Sequence, residues 1–199
     1  MMYDFAILGG AFNPIHNGHL YIAEEIIARN IAEKVVFMPN GNHPLKTTTK
    51  LLSYQARYEL IALAIKHNTN FSVSNFDSPE HGINYTYDLI QRLSKYYLLE
   101  QFTFLIGYDN ALNFSKWYEP EWLLNNVNFT VVSRSSDLSD QSKQIDSRFN
   151  VIEIEPYDIS STEIRNLLDK DESIADLVPA QIIKPLATYW KNLKLPPHQ

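Results

Sequence analysis

Two histidines near the amino terminus have the clearest capacity for chemistry. They lie in the segment GGAFNPIHNGH, residues 9–19, between an apolar run and a helical pattern. Paired glycines at a strand end let a ligand approach the backbone, and the first N–H groups of a helix attract anions. His16 and His19 are three residues apart at the predicted helix start, so their imidazoles can reach the same phosphate oxygens. The segment therefore predicts a phosphate site, with Asn17 as the helix cap.

The same segment argues against other nucleotide-binding classes. It lacks the G-x-G-x-x-G spacing of dinucleotide-binding proteins and the Gly-Lys-Ser/Thr of the P-loop, which disfavours dehydrogenases and P-loop kinases. A single histidine is more often a packed residue than a ligand group, but a pair that follows a Gly-Gly turn at a helix start favours function. The chain has no cysteine and no HExxH motif, so we predict no protein-bound metal site.

A second polar cluster lies near the other end, in the segment ISSTEIR, residues 159–165. Ser160, followed three residues later by a glutamate, fits a capping box, which needs no function beyond starting a helix. Ser161, Thr162 and Arg165 share one face of the first turns, where hydroxyls and a guanidinium meet exposed N–H groups. Because a cation opposes the helix dipole at that end, Arg165 indicates a bound anion, and the cluster predicts phosphate binding.

Short apolar runs alternate with amphipathic segments along the chain. The predicted buried strands are Phe5–Leu8, Val35–Met38, Phe71–Val73, Phe102–Ile106, Phe129–Val132 and Val151–Ile154. This alternation favours a mostly parallel sheet with crossover helices, and therefore an α/β, doubly wound, Rossmann-like fold. Ligands of such folds bind at the carboxyl ends of the strands. Polar loops are predicted at Asn40–Lys50 and Ser133–Arg148.

Length and composition favour a single domain over residues 1–199. The 199 residues are 45% hydrophobic, enough to bury one core. A net charge of −6 argues against broad nucleic-acid binding, which needs a summed positive field. The amino terminus has no basic cluster, and its apolar run stops at Gly9, so neither a signal peptide nor a membrane span is predicted. We expect a cytoplasmic protein with no membrane partner.

Together the two motifs resemble the HxGH and SxxxxR elements of a nucleotidyltransferase superfamily, and specifically its bacterial nicotinate mononucleotide adenylyltransferases. The resemblance covers almost the whole chain. The matching residues are His16-Asn17-Gly18-His19, Met38-Pro39-Asn40, Ser53 with Arg57, Tyr85-Thr86, Gly107-Tyr108-Asp109, Trp117-Tyr118 and Ser160 to Arg165. Two positions depart from the family: many members have Asp in place of Asn13, and Pro-Pro-His-Lys in place of His43-Pro44-Leu45-Lys46. The second departure bears on the acceptor more than on the reaction.

The resemblance implies adenylyl transfer from ATP to nicotinate mononucleotide, giving nicotinate adenine dinucleotide and pyrophosphate, a step of NAD biosynthesis. In that reaction the 5′-phosphate of the mononucleotide attacks the α-phosphorus of ATP in line, and pyrophosphate leaves with Mg2+. No protein nucleophile takes part, so catalysis consists of positioning two anions and stabilising charge on their oxygens. Mg2+ is the implied cofactor, and a homo-oligomer is left open.

The resemblance also implies roles for particular residues. The implied catalytic residues are His16, His19 and Arg165, with His19 nearest the reacting phosphoryl group. The implied ATP-binding residues are Gly9, Gly10, Ala11, Phe12, Gly107, Asp109, Ser160, Ser161 and Thr162, with the ribose near Gly107 and Asp109. The implied mononucleotide-binding residues are Asn13, Lys46, Thr86, Trp117, Tyr118 and Arg134. Trp117 is expected to stack on the pyridine ring, and Arg134 to contact a base or a phosphate.

Other functions stay open on the sequence alone. Nicotinamide mononucleotide is an alternative acceptor, and pantetheine phosphate is the acceptor of a related superfamily member that tends to be shorter. A nucleotide-sensing protein without turnover is an alternative of a different class. Intact His16, His19 and Arg165 argue against the sensing protein, and the chain shows no basic helix-turn-helix for DNA.

Overall fold

A six-stranded parallel sheet forms the centre of the molecule. The computed structural model describes residues 2–41, 50–82, 85–133 and 145–194. The strand order is β3-β2-β1-β4-β5-β6, and all neighbouring strands are parallel. The strands are β1 (Phe5–Gly10), β2 (Val35–Pro39), β3 (Phe71–Val73), β4 (Phe102–Gly107), β5 (Asn128–Ser133) and β6 (Asn150–Glu153). Every predicted strand is present, which confirms the doubly wound α/β fold.

Helices cover both faces of this sheet. They are α1 (Asn17–Ala28), α2 (Tyr54–Ile65), α3 (Thr86–Leu93), α4 (Tyr108–Leu112), α5 (Pro120–Asn126), α6 (Ser161–Asp169) and α7 (Ala180–Lys194). In β1, Ala6 and Leu8 pack in one buried cluster and Ile7 packs in another, as expected for alternate residues of a strand. The first cluster includes residues of α1, α2, α6 and α7, and the second includes residues of α3, α4 and α5.

The strand order reverses between β1 and β4. From β1 the chain adds β2 and β3 on one side, and then crosses to place β4, β5 and β6 on the other. Such a reversal leaves a crevice at the carboxyl ends of the two central strands. Residues 9–19 continue from β1 and Gly107 ends β4, so both segments lie at this crevice.

The two predicted polar loops lie largely outside the described residues. Of the first loop, the structure describes Asn40, Gly41 and Lys50, and of the second it describes Ser133 and residues 145–148. The longest described helix, α7, has 15 residues. Within the described ranges, no helix combines the length and the apolar character that crossing a membrane requires. The assignment of residues 1–199 to one domain stays a prediction.

Candidate active site

A cavity of about 1060 Å³ opens at the carboxyl edge of the sheet. It lies over the ends of β1 at Gly9 and Gly10, of β4 at Gly107 and of β5 at Ser133. Side chains from the segments that follow β1, β3, β4 and β6 complete its wall. Doubly wound folds bind ligands at this edge, and the volume is slightly above the usual range for ligand pockets, about 300–1,000 Å³.

The cavity brings together residues predicted for both substrates. The predicted site residues that line it are Gly9, Gly10, His16, His19, Thr86, Gly107, Asp109, Trp117 and Tyr118. A second set belongs to the turn after β1 and the start of α6 and is not part of the described wall, namely Ala11, Phe12, Asn13, Ser160, Ser161, Thr162 and Arg165. Lys46 and Arg134 lie outside the described residues.

The two histidines lie against each other at the start of α1. Their ring centroids are 3.7 Å apart, with 30° between the ring planes. The backbone N–H of His16 donates to Nδ1 of His19 over 3.3 Å, so a neutral His19 carries its proton on Nε2. The ring of Phe12 meets that of His19 edge-on, with centroids 4.9 Å apart. These contacts fix the orientation and the tautomer of His19.

Both histidines are neutral at pH 7 in this arrangement. Burial lowers the pKa of His16 from its ordinary value of 6.5 to about 4. Burial also lowers the pKa of His19 well below 6.5, and the neighbouring His16 adds to the effect. A bound polyphosphate would act in the opposite direction, because nearby negative charge stabilises an imidazolium. The pair therefore offers neutral N–H donors. A bound anion would raise the pKa of these imidazoles and favour their protonated, positively charged form.

Gly18 lets α1 approach the imidazole of His16 closely. A Cβ atom at this position would lie 3.1 Å from Nδ1 and 3.2 Å from Cε1 of His16. It would also lie 3.7 Å from the ring of Tyr157 on the other side. Sterics therefore explain why the residue between the two histidines is a glycine, since a larger residue would displace the His16 ring.

The cap of α1 differs from the prediction. The helix begins at Asn17, and His16 occupies the cap position. The side-chain amide of Asn17 donates to the carbonyl of Asp176 over 3.1 Å, and its backbone N–H donates to the carbonyl of Leu177. The prediction of Asn17 as the cap was therefore wrong, because Asn17 is already the first residue of the helix, and its side-chain NH2 group donates to a carbonyl 159 positions away.

The start of α6 supports the turn that follows β1. Ser160 caps this helix, as predicted, by accepting from the backbone N–H of Glu163 over 3.1 Å. The hydroxyl of Ser161 donates to the carbonyl of Pro14 over 3.0 Å. The bond from Ser161 connects the two sequence motifs, which lie 147 residues apart at Pro14 and Ser161.

Arg165 makes a second connection between α6 and this turn. Its guanidinium donates to the carbonyl of Asn13 and to the hydroxyl of Thr162, each over 2.9 Å. A guanidinium has up to five N–H donors, so it can also bind an anion. The contact with Asn13 was not indicated by the sequence, and the contact with phosphate stays a prediction.

Arg57 of α2 holds the other side of the turn and is only 2% exposed. Its guanidinium donates to the carbonyls of Ala11 (2.7 Å), Asn40 (2.8 Å) and Leu52 (3.2 Å). The side chain of Asn13 also reaches this region. It accepts from the backbone N–H of Leu52 over 3.1 Å and donates to the carbonyl of Lys50 over 2.8 Å. Both polar atoms of Asn13 are thus bonded within the protein, and its contact with a mononucleotide stays a prediction.

Aromatic side chains form another part of the cavity wall. Trp117 stacks on Phe114, with ring centroids 4.6 Å apart and 24° between the planes, and it also lines the cavity. Tyr118 has its ring centroid 5.2 Å from that of Tyr85 and 5.5 Å from that of Tyr87. Helix α3 begins beside these rings, and its first N–H groups favour an anionic or polar group. This end of the cavity suits an aromatic ring with such a substituent.

The end of β4 borders open space. A Cβ atom at Gly107 would meet no atom within 4 Å, although its φ of −74° suits any residue. Asp109 follows in the first turn of α4, where it is exposed and lines the cavity. Protein packing gives no reason for a glycine here, so the open space suits a ligand beside Asp109.

The chain is similar to known proteins along most of its length. Residues 7–167 match the cytidylyltransferase-like family. A curated relative from Clostridium acetobutylicum, named "Probable nicotinate-nucleotide adenylyltransferase", is 35% identical over 185 residues, covering 89% of this chain and 92% of that protein. A relative of the same name from Geotalea daltonii is 36% identical over 198 residues, covering 88% and 92%. The chain belongs to the nicotinate-nucleotide adenylyltransferases of this family.

A solved nicotinic acid mononucleotide adenylyltransferase has the same fold. It comes from Plasmodium falciparum, is complexed with NaAD, and has a TM-score of 0.74 at 22% identity, over 94% of this chain and 96% of that one. Membership of the nicotinate-nucleotide adenylyltransferases confirms the resemblance, the enzyme class and the function expected from the sequence, and the TM-score confirms the Rossmann-like fold. The roles of individual residues stay predictions.

Several residues of this adenylyltransferase cavity were missed by sequence reasoning. Asp77, Ser133 and Glu155 line it and lie at or just after the ends of β3, β5 and β6. Polar residues at the carboxyl ends of predicted parallel strands are the pattern that could have indicated them. Tyr21 and Tyr157 also line it and stack on each other, with centroids 5.1 Å apart. Nothing in the local sequence indicates that pair.

The described residues hold no group of three or more His, Asp or Glu side chains that could bind a metal ion. The carboxylates of Asp77, Asp109 and Glu155 line the cavity without forming such a group. Mg2+ takes oxygen ligands and is often held by substrate phosphates with few protein ligands. An ion held in that way needs no such group of protein side chains.

Proposed function

We propose that the chain joins ATP and nicotinate mononucleotide, releasing pyrophosphate and forming nicotinate adenine dinucleotide. The observation that carries the proposal is that His16, His19, Gly107 and Trp117 line one cavity. One site therefore contains hydrogen-bond donors for phosphate, space for a ribose and an aromatic side chain on which a pyridine ring can stack. An oxygen of the mononucleotide 5′-phosphate attacks the α-phosphorus of ATP, the bond from that phosphorus to the β-phosphate oxygen breaks, and pyrophosphate leaves.

His16 and His19 bind the phosphates of ATP in this proposal, with His19 nearest the reacting phosphoryl group. Since Nδ1 of His19 accepts from the backbone of His16, Nε2–H is the donor that His19 offers. A donor that is already oriented stabilises the charge that develops on the α-phosphate oxygens without reorganisation. The histidines act as donors and not as nucleophiles.

The start of α6 binds the β- and γ-phosphates. Arg165 holds the carbonyl of Asn13 and directs its further N–H donors to these oxygens. Ser160, Ser161 and Thr162 lie at the amino end of α6, where the helix dipole favours an anion. Gly9, Gly10, Ala11 and Phe12 complete the turn that lies along the polyphosphate.

The nucleoside parts occupy the remaining wall. The ribose of ATP lies over Gly107, and its hydroxyls donate to the carboxylate of Asp109. The pyridine ring stacks on the face of Trp117 that Phe114 does not cover. Backbone groups of Thr86 and Tyr118 bind the substituent of the ring.

Mg2+ bound to the phosphates of ATP would reduce the charge of the leaving pyrophosphate. Three sequence-based expectations belong with this proposal: Asn13, Lys46 and Arg134 as further substrate contacts, a cytoplasmic location, and a homo-oligomer as an open possibility. The net charge of −6 gives no reason to add nucleic acid to the partners.

A pyrophosphate-release assay with ATP and Mg2+ tests the proposal. We expect a higher kcat/KM with nicotinate mononucleotide than with nicotinamide mononucleotide. His19→Ala should lower kcat by about 10²–10³. Leu193→Ala is a suitable control, because Leu193 is 40% exposed and lies outside the cavity wall.

Three outcomes would contradict the proposal in different ways. Preference for the amide keeps the reaction and replaces the acceptor. Release with neither pyridine nucleotide, but with pantetheine phosphate, replaces the acceptor class. Binding of ATP without release in single-turnover measurements indicates a sensing protein.

A further inference from the structure

The described wall of the cavity contains little positive charge for a site that binds two anions. Its carboxylates are Asp77, Asp109 and Glu155. Lys116 is the only lysine or arginine among the described residues that line it. The two histidines add no charge at pH 7, because burial lowers both pKa values. The ammonium group of Lys116 is therefore the permanent cation of the described wall.

Two amide contacts place this ammonium group. Nζ of Lys116 donates to Oδ1 of Asn113 over 2.7 Å, and Nδ2 of Asn113 donates to the carbonyl of Asp109 over 2.9 Å. The partner of the ammonium group is thus a neutral amide. Within the described residues, no carboxylate lies within 4.0 Å of this nitrogen, so its charge is not neutralised by an ion pair.

Lys116 also lies directly before the residue expected to hold the pyridine ring. It ends the short 3-10 turn Phe114–Lys116, and Trp117 follows with its ring stacked on Phe114. Both Lys116 and Trp117 line the cavity. The cation therefore lies in the cavity wall beside Asn113, one residue before the side chain proposed to stack on the pyridine ring.

We propose that Lys116 is a specificity-determining residue that favours a pyridine mononucleotide with a ring carboxylate over one with a carboxamide. The inference rests on the proposed function. The two acceptors differ by one negative charge, which a nearby ammonium group attracts in one case only. Their 5′-phosphates are identical, so attraction to the phosphate cannot distinguish them.

The test is the ratio of kcat/KM for nicotinate mononucleotide to that for nicotinamide mononucleotide. Lys116→Met keeps the apolar stem and removes the charge, and we expect the ratio to fall by about fivefold, as for an exposed ion pair. The ratio should fall because kcat/KM for nicotinate mononucleotide decreases, while that for nicotinamide mononucleotide stays the same. Lys116→Arg should restore most of the ratio. Lys66→Met, at an exposed lysine outside the cavity wall, is the matched control.

Ionic strength provides a second readout. Salt should reduce the wild-type ratio and leave that of Lys116→Met unchanged, because only an interaction between charges is screened. An equal loss with both acceptors would overturn the inference, since it would place Lys116 on the phosphates. An unchanged ratio in Lys116→Met would overturn it as well. Failure of the wild-type chain with both acceptors would instead overturn the proposed function, and the inference with it.

Discussion

At the scale of single residues, Gly18 sets the distance between α1 and the imidazole of His16. A methyl group there would lie 3.1 Å from Nδ1 of His16, closer than side chains normally pack. We expect Gly18→Ala to displace this ring and to lower kcat by between about tenfold and a hundredfold, since small misplacements of catalytic groups are costly. Steady-state kinetics measures the effect, with the melting temperature as a check on folding.

Gly107→Ala is the matched control for this substitution. A Cβ atom at Gly107 meets no protein atom within 4 Å, so the protein should fold as before. Its effect should appear in the KM for ATP, whereas that of Gly18→Ala should appear in kcat. A Gly18→Ala protein with unchanged kcat would contradict the steric role of this glycine.

His16 should make stability depend on pH. Burial lowers its pKa from 6.5 to about 4 in the folded chain, so the unfolded chain takes up the proton first as pH falls. Between pH 6.5 and pH 4 the free energy of unfolding should therefore decrease, by about 1.4 kcal/mol per pH unit for one proton. Urea unfolding of the wild type and of His16→Asn measures this. As pH falls, the free energy of unfolding of the wild type should decrease relative to that of His16→Asn. A difference in free energy of unfolding that does not change with pH would contradict the burial of a neutral His16.

The sequence alone could predict the histidine pair, because residue type and spacing are local properties. It could not predict that the amide of Asn17 binds the carbonyl of Asp176, since that contact depends on the tertiary fold. The same holds for Arg165: the helix-dipole argument indicated an anion, and the structure shows a carbonyl partner at Asn13. Local rules thus found the chemical groups but not all of their partners.

At the scale of elements, the turn after β1 is held between α2 and α6. Arg57 supplies the α2 side through bonds to three carbonyls. We expect Arg57→Met to lower the free energy of unfolding by about 3 kcal/mol, because buried carbonyls lose their donors. Arg57→Lys should restore little, since an ammonium group cannot replace the flat, branched guanidinium. Urea denaturation measures both variants.

Arg29→Ala is the control for Arg57. Arg29 forms an exposed pair with Glu25 at 2.8 Å on α1, and such pairs contribute about 0.5 kcal/mol or less. A similar small loss for Arg57→Met would show that the turn is held in some other way.

The strands were predicted within two residues of their ends. Four of them extend further at their carboxyl ends than predicted, to Gly10 in β1, Pro39 in β2, Gly107 in β4 and Ser133 in β5. Glycine and proline usually interrupt strands, but here they lie at the carboxyl edge of the sheet, where Gly10, Gly107 and Ser133 line the cavity. Three of these four longer ends therefore line the site.

At the scale of the whole molecule, α7 closes the face of the sheet that α2 covers. Trp190 of α7 is 1% exposed, and its indole N–H donates to Asp169 over 3.0 Å. We expect Trp190→Ala to lower the free energy of unfolding by about 3–5 kcal/mol through the cavity that it leaves. Below the melting temperature, KM for both substrates should stay unchanged, because Trp190 lies outside the active-site cavity.

Calorimetry and kinetics on Trp190→Ala and the exposed control Leu193→Ala separate the two effects. A large rise in KM would show that the packing of α7 shapes the site.

The sequence could predict a doubly wound sheet from the alternation of strands and helices. It did not specify the order β3-β2-β1-β4-β5-β6, because pairing between distant strands is a property of the complete chain.

The turn that carries the histidines is completed by residues that are synthesised well over a hundred positions after it, such as Ser161, which lies 147 residues after Pro14. Its bonds at Asn13, Pro14 and Asn17 lead to Arg165, Ser161, Asp176 and Leu177. A nascent chain that has not yet extruded these partners contains both histidines without the contacts that orient the turn. The turn therefore gains these contacts only after residues 161–177 have been synthesised, and a chain terminated before them would have the residues of the first motif without the bonds that orient it.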